Sequence, residues 1–202
     1  MENTIQIGQV TLTLKMDLIQ DQQTDVIVNT TSENLDLRRG AVSKALLEKA
    51  GHEMQKEIHN AKKSNFIIST KAYKLNCKEV YHTFCVEKSR RDSQKIFYES
   101  ITECLWTADA KEHKSISFPA IGTGNLGFSE NEAATIMLDA LKQFAQNAPE
   151  SMAVYFVIHP SDHKVFQAFK DQMKGSNEKH PETIPRNTDQ PSYCIPANLN
   201  PQ

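Results

Sequence analysis

The chain has 202 residues, of which 39% are hydrophobic and 24% are charged. This length suffices for one domain with a proper core and is short for two. The formal net charge of -2 argues against a general electrostatic attraction to nucleic acid or acidic membranes, because such binding needs a basic surface. We therefore expect any contact with a nucleotide to be local, with no direct nucleic-acid or membrane partner.

The spacing of the cysteines and the lack of long apolar segments indicate the cellular location. The four cysteines, Cys77, Cys85, Cys104 and Cys194, have wide and irregular spacing, which argues against a disulfide framework or a zinc site. The first residues form no apolar signal region, and no stretch is long enough to cross a bilayer. The sequence therefore predicts a soluble intracellular protein of the nucleus, the cytoplasm or both, without a metal or a cofactor.

The first third of the chain predicts strands followed by helices. Apolar and polar residues alternate from Val10 to Leu18, which indicates a strand with one wet face. The unbroken apolar run in residues 25–29 predicts a strand that is buried on both faces, as in a parallel sheet covered by helices. A helical period then runs from Val42 to Ala50 and stops at Gly51, and residues 52–60 continue in a second helix.

The pattern continues along the rest of the chain. Two strands are predicted at 66–73 and 79–86, and the apolar stripe of residues 92–111 predicts a helix. After a strand that starts at Ser115, a glycine loop and a helix over 129–144, the run 152–158 predicts another buried strand, followed by a last helix that begins at Ser161. This alternation predicts an α/β three-layer sandwich with a mixed, mainly parallel sheet.

The predicted domain spans residues 1–173, and a change in composition marks its end. Five of the eight prolines fall after Lys174, among Asn, Gln, Ser and Thr. Such a segment cannot bury enough apolar surface to offset the entropy lost on ordering. Residues 174–202 are therefore predicted to form a disordered tail.

The segment SISFPAIGTGNLGF, residues 115–128, is the most informative part of the sequence. A strand pattern leads into a loop with glycines at 122, 124 and 127, and Ser129 and Glu132 then have the spacing of a helix capping box. A loop with few β-carbons lets backbone amides approach an anion, and the helix end behind it adds partial positive charge. This order of elements predicts a phosphate site.

Ligands of open α/β sheets lie at the carboxyl ends of the strands. Three segments should meet there: the loop after Val28, the glycine loop, and the turn from His159 to Asp162. Asp17, at the end of the first long strand, could join them and accept a hydrogen bond from the amine of adenine. The alternative is that Asp17 is a solvated acid at a strand end.

The chain resembles a macrodomain, and is most similar to the macrodomains of large mono-ADP-ribosyltransferases that carry several macro modules. The resemblance covers about residues 16–170 and lies in Asp17 and in the segments TDVIVNTTSENLDLRRGAVSKALLEKAG (24–51), VYHTF (80–84), SISFPAIGTGNLGF and VIHPSDH (157–163). It implies a monomeric module that binds ADP-ribose, either free or as the terminal group of mono-ADP-ribosylated proteins.

The resemblance also implies roles for individual residues. Asp17 would hold the adenine amine, with Val26 and Ile27 beneath the base and His159 covering it from the other side. Asn29 would brace the first loop, which includes Ser32, Gly40, Ala41 and Val42. The diphosphate would be wrapped by the backbone amides of Gly122, Thr123, Gly124, Asn125, Leu126 and Gly127, with Phe128 beside the distal ribose.

Two departures from the family pattern bear on catalysis. Ser32 stands where macrodomains that hydrolyse ADP-ribosyl esters have a ribose-contacting asparagine. Ser43 replaces the acid that would activate water or bind the ribose, and a hydroxyl is a much poorer base near pH 7. Hydrolysis is therefore disfavoured, and we assign no catalytic residue. Arg38 and Arg39 could instead contribute charge-assisted contacts to the phosphates.

Several functions stay open at this stage. The leading one is a reader of mono-ADP-ribosylated proteins, and the alternatives are an ADP-ribosyl-protein hydrolase, or a macrodomain piece of a mono-ADP-ribosyltransferase involved in transcriptional or immune regulation. Residues 122–127 also fit the G-x-G-x-x-G pattern of dinucleotide-binding oxidoreductases, although that pattern alone is weak evidence. A Cys85–His82 nucleophile pair, a His159–His163 metal site, and an interaction domain without ligand are weaker alternatives.

Overall fold

The computed structural model describes residues 2–177, so most of the predicted tail and Cys194 lie outside the described residues. Seven strands form one mixed sheet in the order β1-β2-β7-β6-β3-β5-β4. The five central strands run parallel to their neighbours, and the edge strands β1 and β4 are antiparallel. The strands are β1 (Glu2–Ile7), β2 (Val10–Met16), β3 (Val26–Thr31), β4 (Ile67–Lys71), β5 (Glu79–Phe84), β6 (Ser115–Pro119) and β7 (Met152–Ile158).

Five α-helices cover the two faces of this sheet. Helices α1 and α2 share a core with Ile27 and Val80, whereas α3, α4 and α5 pack on a larger core that includes Val26 and Phe118. The helices are α1 (Ala41–Ala50), α2 (Glu53–Asn60), α3 (Ser93–Ala110), α4 (Glu130–Asn147) and α5 (His163–Asn177). The predicted three-layer α/β sandwich with a mixed, mainly parallel sheet is thereby confirmed.

Strand β3 shows why its sequence has no alternation of apolar and polar residues. Val26 and Val28 face the core under α3, α4 and α5, while Ile27 faces the core under α1 and α2, and all three are fully buried. Because both faces of a central parallel strand are covered, an unbroken apolar run is what such a strand requires. The run therefore places β3 in the middle of the sheet.

Three boundaries differ from the sequence-based expectation. The edge strand β1 has the largely polar sequence ENTIQI, in which Ile5 is the only fully covered residue, so its strand pattern is weak. Strand β4 stops before Tyr73, which has a positive φ of 51°. Helix α5 begins at His163, after a turn in which the amide of Asp162 donates to the carbonyl of His159, and it continues through residues 174–177, which composition assigned to the tail.

Candidate ligand-binding site

A cavity of about 360 Å³ lies at the carboxyl ends of the parallel strands, beside the start of α1. The strand ends supply Asp17 after β2, Pro119 at the end of β6, and His159 after β7. The lining residues are Asp17, Leu18, Ile19, Gln20, Ala41, Val42, Ala45, Pro119, Ala120, Val157, His159, Ser161 and Asp162. The structure thus brings Asp17, Ala41, Val42 and His159 together, as expected for one site.

Asp17 is held as a carboxylate at the rim of this cavity. Its Oδ1 accepts from the amide of Leu18 at 2.8 Å, and its Oδ2 accepts from Gln22 Nε2 at 3.1 Å. Burial alone would raise the pKa of Asp17, but the hydrogen bonds from Gln22, Leu18 and Lys15 together lower it. A carboxylate has about four acceptor positions, so an ionised Asp17 retains capacity for one further donor, such as an exocyclic amine.

The start of α1 forms the opposite wall of the cavity. Gly40 is its N-cap with a φ of 84°, and in this part of the described chain the helix has neither a side-chain cap nor an acidic residue in its first turn. Its first backbone N–H groups lack intrahelical acceptors, and the helix dipole adds partial positive charge at this end. Because Ala41 and Val42 line the cavity, this helix end is suited to an anion.

Partial positive charge was also predicted at the start of α4, the helix behind the glycine loop. The capping box of α4 forms as predicted, since Ser129 Oγ accepts from the amide of Glu132 at 3.1 Å and the amide of Ser129 donates to Glu132 Oε2 at 2.8 Å. These carboxylates, Glu130 and Glu132, already occupy the first turn of α4. At α1, by contrast, Gly40 has no side chain that could cap the helix and the first turn contains no acidic residue, and both features can be read from the sequence.

The glycine loop after β6 has the backbone conformation that its sequence implies. Gly122, Gly124 and Gly127 have φ values of 90°, 73° and 80°. At Gly122 a β-carbon would lie 2.1 Å from Phe97 Cε2, so this glycine is required by packing. At Gly124 a β-carbon would meet nothing within 4 Å, so its face of the loop is open. Residues 124–126 form a short 3₁₀ turn.

The loop between β5 and α3 supports the glycine loop from behind. The amide of Lys88 donates to the carbonyl of Leu126 at 2.8 Å, and Lys88 Nζ donates to Glu132 Oε1 at 2.7 Å. A second, shallower depression lies between residues 87–89 and 125–127. Asn125, Leu126 and Gly127 line this second depression, and none of residues 122–127, the predicted phosphate cradle, lines the main cavity.

Three predicted contact residues lie in the core instead of at the cavity. Val26 and Ile27 are fully buried within the sheet, and neither lines the cavity, where Leu18 and Ile19 supply apolar surface. Phe128 is 4% exposed and packs edge-on against Phe97 with ring centroids 5.3 Å apart. For these apolar side chains, burial in the core is more favourable than partial exposure at an open cavity. The spacing of residues in the sequence does not distinguish the two positions.

Asn29 is also fully buried, and its amide is used within the protein. The single hydroxyl proton of Ser43 is shared between two acceptors, Asn29 Oδ1 at 3.1 Å and the carbonyl of Thr30 at 2.9 Å from Oγ. Asn29 Nδ2 lies 3.0 Å from His82 Nδ1. The Ser43 hydroxyl therefore points into the sheet, away from the cavity. Ser43 as a whole is only 1% exposed to solvent. Asn29 therefore contacts the first turn of α1 and does not line the cavity.

The polar residues of the first loop are paired with each other. Ser32 Oγ donates to Asn34 Oδ1 at 2.5 Å. Arg38 makes two hydrogen bonds to Asp36, from Nε at 2.8 Å and from Nη2 at 3.0 Å, and Arg39 Nε lies 3.8 Å from the same carboxylate. The two arginines thus face Asp36, which reduces the charge they could offer to phosphates.

One weaker alternative from the sequence, the Cys85–His82 nucleophile pair, fails on geometry. His82 and Cys85 lie on opposite faces of β5, because His82 contacts Asn29 and Thr70, whereas Cys85 contacts Ser100 of α3. Within residues 2–177, no group of three or more His, Cys, Asp or Glu side chains is arranged to hold a metal ion. In the same range, no helix combines the length and apolar character needed to span a membrane.

The strand order and the position of the glycine loop define the class of protein. The loop follows β6, between β7 and β3, whereas dinucleotide-binding Rossmann folds have the order 3-2-1-4-5-6 with the glycine turn after the first strand. The chain is therefore an α/β/α protein with a cavity at the carboxyl edge of its sheet and a different topology. It belongs to the Macro domain family, whose model matches residues 28–137.

The relatives include a mono-ADP-ribosyltransferase and a deacetylase. Protein mono-ADP-ribosyltransferase PARP14 of Homo sapiens is 37% identical over 174 residues, which are 82% of this chain and 10% of that protein. The chain thus spans about a tenth of the length of this relative. O-acetyl-ADP-ribose deacetylase of Salmonella newport (strain SL254) is 27% identical over 163 residues, which are 75% of this chain and 90% of the deacetylase.

Solved structures with the same fold include a macrodomain of Oceanobacillus iheyensis with ADP. It aligns with a TM-score of 0.80 and 25% identity, over 88% of this chain and 97% of that chain. A mutant of the same macrodomain with ADPR aligns with a TM-score of 0.81 and 26% identity, over 89% of this chain and 100% of that chain. The resemblance to macrodomains inferred from the sequence is therefore confirmed.

Proposed function

We propose that this chain is a binding module for ADP-ribose that recognises it free or on mono-ADP-ribosylated proteins. The observation that carries the proposal is the pairing of two features across one cavity: the carboxylate of Asp17 on one side and the uncapped N-terminus of α1 on the other. A ligand that joins an aminopurine to a diphosphate has complementary groups for both. The macrodomain structures solved with ADP and ADPR support the same ligand class.

The physical chemistry of the site fits such a ligand. Adenine would lie on the apolar wall formed by Leu18, Ile19 and Val157, and its amine would donate to Asp17. The diphosphate would accept hydrogen bonds from the first amides of α1 and from the open face of the loop at Gly124. No metal or cofactor has a part in this proposal, because backbone amides and helix charge supply the anion contacts.

The disposition of carboxylates supports a reader over a hydrolase. A hydrolase needs a base within hydrogen-bond reach of its water. Ser43 cannot serve, since its hydroxyl is bound to Asn29 and Thr30. Asp17, His159 and Asp162 line the cavity at the proposed adenine end, because the amide of Asp17 donates to the carbonyl of Ile158 beside His159. The lowered pKa of Asp17 also makes it a weak base. The relationship to O-acetyl-ADP-ribose deacetylase keeps hydrolysis as the competing function to be tested.

The relationship to PARP14 suggests the larger protein in which this module could act. The chain matches about a tenth of that mono-ADP-ribosyltransferase, and we propose that it corresponds to one of the macro modules of such a protein. In that setting the module would direct other activities to proteins that already carry ADP-ribose. Its action in transcriptional or immune regulation, in the nucleus or the cytoplasm, is part of this proposal.

Isothermal titration with ADP-ribose, with AMP and NAD as comparators, tests the binding function. The proposal requires saturable binding of ADP-ribose that is tighter than binding of AMP. The same protein is then incubated with a mono-ADP-ribosylated protein, and the modification left on that protein is followed over time. Binding without release supports a reader, release at catalytic protein concentrations assigns the hydrolase, and no binding of ADP-ribose refutes both.

A further inference from the structure

A buried chain of four polar side chains connects the edge of the sheet to α1. We call Thr70, His82, Asn29 and Ser43 the polar relay. His82 Nε2 lies 2.9 Å from Thr70 Oγ1, His82 Nδ1 lies 3.0 Å from Asn29 Nδ2, and Asn29 Oδ1 accepts from Ser43 Oγ at 3.1 Å. The four residues belong to β4, β5, β3 and α1, and each is at most 2% exposed.

The relay is fully hydrogen bonded and neutral. Among the described residues, no buried side-chain nitrogen or oxygen lacks a hydrogen-bond partner. Burial lowers the pKa of His82 to about 3, so the ring is uncharged at neutral pH, and one of its nitrogens donates while the other accepts. Loss of any one member would leave its neighbour buried and unpaired, which proteins tolerate poorly.

The last bond of the relay lies in the first turn of α1, next to the cavity. Ser43 directly follows Ala41 and Val42, which line the cavity, and its hydroxyl bonds both Asn29 and the carbonyl of Thr30. The other buried residues of α1, Leu46, Leu47 and Ala50, make apolar contacts further along the helix. Apolar packing has no preferred direction, whereas hydrogen bonds do, so Ser43 determines how the first turn sits on the sheet.

We propose that His82 is a positioning residue for the ligand cavity, because it holds Asn29 and thereby Ser43 in the orientation that fixes the first turn of α1. His82 itself does not line the cavity. The affinity measurement that tests this inference rests on the proposed function, because it uses ADP-ribose as the ligand. Couplings of this kind through packed residues change affinity by about 2-fold to 30-fold.

Two substitutions at His82 separate positioning from packing. His82→Asn keeps a polar group near the position of Nδ1, within reach of Asn29, whereas His82→Gln keeps one near the position of Nε2 and loses the contact with Asn29. Asparagine is the smaller residue and leaves the larger void, so a purely structural role makes His82→Asn the more damaging change. Positioning predicts the reverse: His82→Gln weakens ADP-ribose about 2-fold to 30-fold, and His82→Asn recovers most of that affinity.

A second readout needs no ligand. Hydrogen exchange of the amide of Lys44, which donates to the carbonyl of Gly40 at 3.0 Å and closes the first turn of α1, should accelerate in the free protein in His82→Gln and Ser43→Ala, and stay near the wild-type rate in His82→Asn. Ser100→Ala is the matched control, because it removes a buried hydroxyl that donates to the carbonyl of Phe97 at 2.7 Å on the opposite face of the sheet. This control should change neither readout, and Ser43→Ala carries the test if the His82 variants do not fold.

The outcomes distinguish the two proposals. If the wild-type protein does not bind ADP-ribose, the proposed function fails, and the exchange rates still test the relay. If His82→Asn exceeds His82→Gln in its effect on either affinity or exchange, or if Ser43→Ala leaves the exchange rate of the Lys44 amide unchanged, the positioning role is overturned.

Discussion

Replacement of Asp17 by alanine should selectively weaken ligands that contain adenine. The carboxylate lies at the cavity, keeps acceptor capacity beyond its bonds to Leu18 and Gln22, and is ionised because its pKa is lowered. A hydrogen bond between a charged and a neutral group contributes about 1.5–3 kcal/mol, so the affinity for ADP-ribose should fall by about 10-fold to 150-fold. Ribose 5-phosphate, which has no base, should bind the variant and the wild type alike.

The folded state should survive this change. Asp17 is half-exposed, so water can replace the carboxylate at Leu18 and Gln22, and the expected loss of stability is about 1 kcal/mol. Asp21→Ala is the control for loss of a nearby negative charge, because Asp21 pairs with Lys49 at 2.7 Å and does not line the cavity. Its affinity for ADP-ribose should match that of the wild type.

Calorimetric titration of both variants with ADP-ribose, AMP and ribose 5-phosphate gives the comparison, and urea unfolding gives the stability. Because the pKa of Asp17 lies below its ordinary value, this group stays ionised from pH 8 to about pH 5, and its contribution to affinity should be constant over that range. Equal weakening of ADP-ribose and ribose 5-phosphate in Asp17→Ala would remove the adenine contact from the site and refute the orientation of the ligand proposed above.

Three further predictions concern the glycines and one acidic residue. Gly124→Glu should abolish ADP-ribose binding in titrations. It should cost only about 1–2 kcal/mol of stability in urea unfolding, because the new β-carbon has open space and only the positive φ is strained. The control Gly175→Glu in α5 should bind ADP-ribose normally. Gly122→Ala should destabilise the fold by about 2–5 kcal/mol, because its β-carbon collides with Phe97; an unchanged unfolding midpoint would contradict this. Burial would raise the pKa of Glu79, but hydrogen bonds from Lys111, His113 and Ser69 lower it to about 2. The stabilising contribution of Glu79 should therefore be complete above pH 4.5 and decline as the pH falls towards 2. Urea unfolding midpoints measured over that range should show a smaller acid-induced loss of stability in Glu79→Gln than in the wild type.

The sequence predicted the central strands best, because burial on both faces leaves an unambiguous pattern. Strand β7 has the predicted bounds of residues 152–158, and β3 lies within one or two residues of its prediction. The edge strand β1 was missed since an edge strand needs few apolar residues and here buries only Ile5. Its place beside β2 follows from backbone pairing with residues 10–15, which local composition does not encode.

Prediction of the site succeeded where the signal was local. The capping box of α4 and the strand-end position of Asp17 are both properties of short segments, and each was found from the sequence. The polar relay could not be found in this way, because its members come from four elements between residues 29 and 82. Likewise, the resemblance implied ligand contacts for Val26, Ile27 and Phe128, whereas the structure buries all three in the core.

The electrostatics explain how a chain with a net charge of -2 could hold a diphosphate. The cationic side chains nearest the loops face carboxylates: Arg38 faces Asp36, Lys88 faces Glu132, and Arg90 faces Glu33. What remains unpaired in the described part of this region is backbone: the first amides of α1, where no acidic side chain competes, and the open face of the glycine loop. Backbone dipoles are fixed by the fold, unlike long side chains, so they bind an anion without a further loss of side-chain entropy. The affinity should therefore depend on where α1 begins and how it is held, and this links the ligand site to the buried relay beneath it.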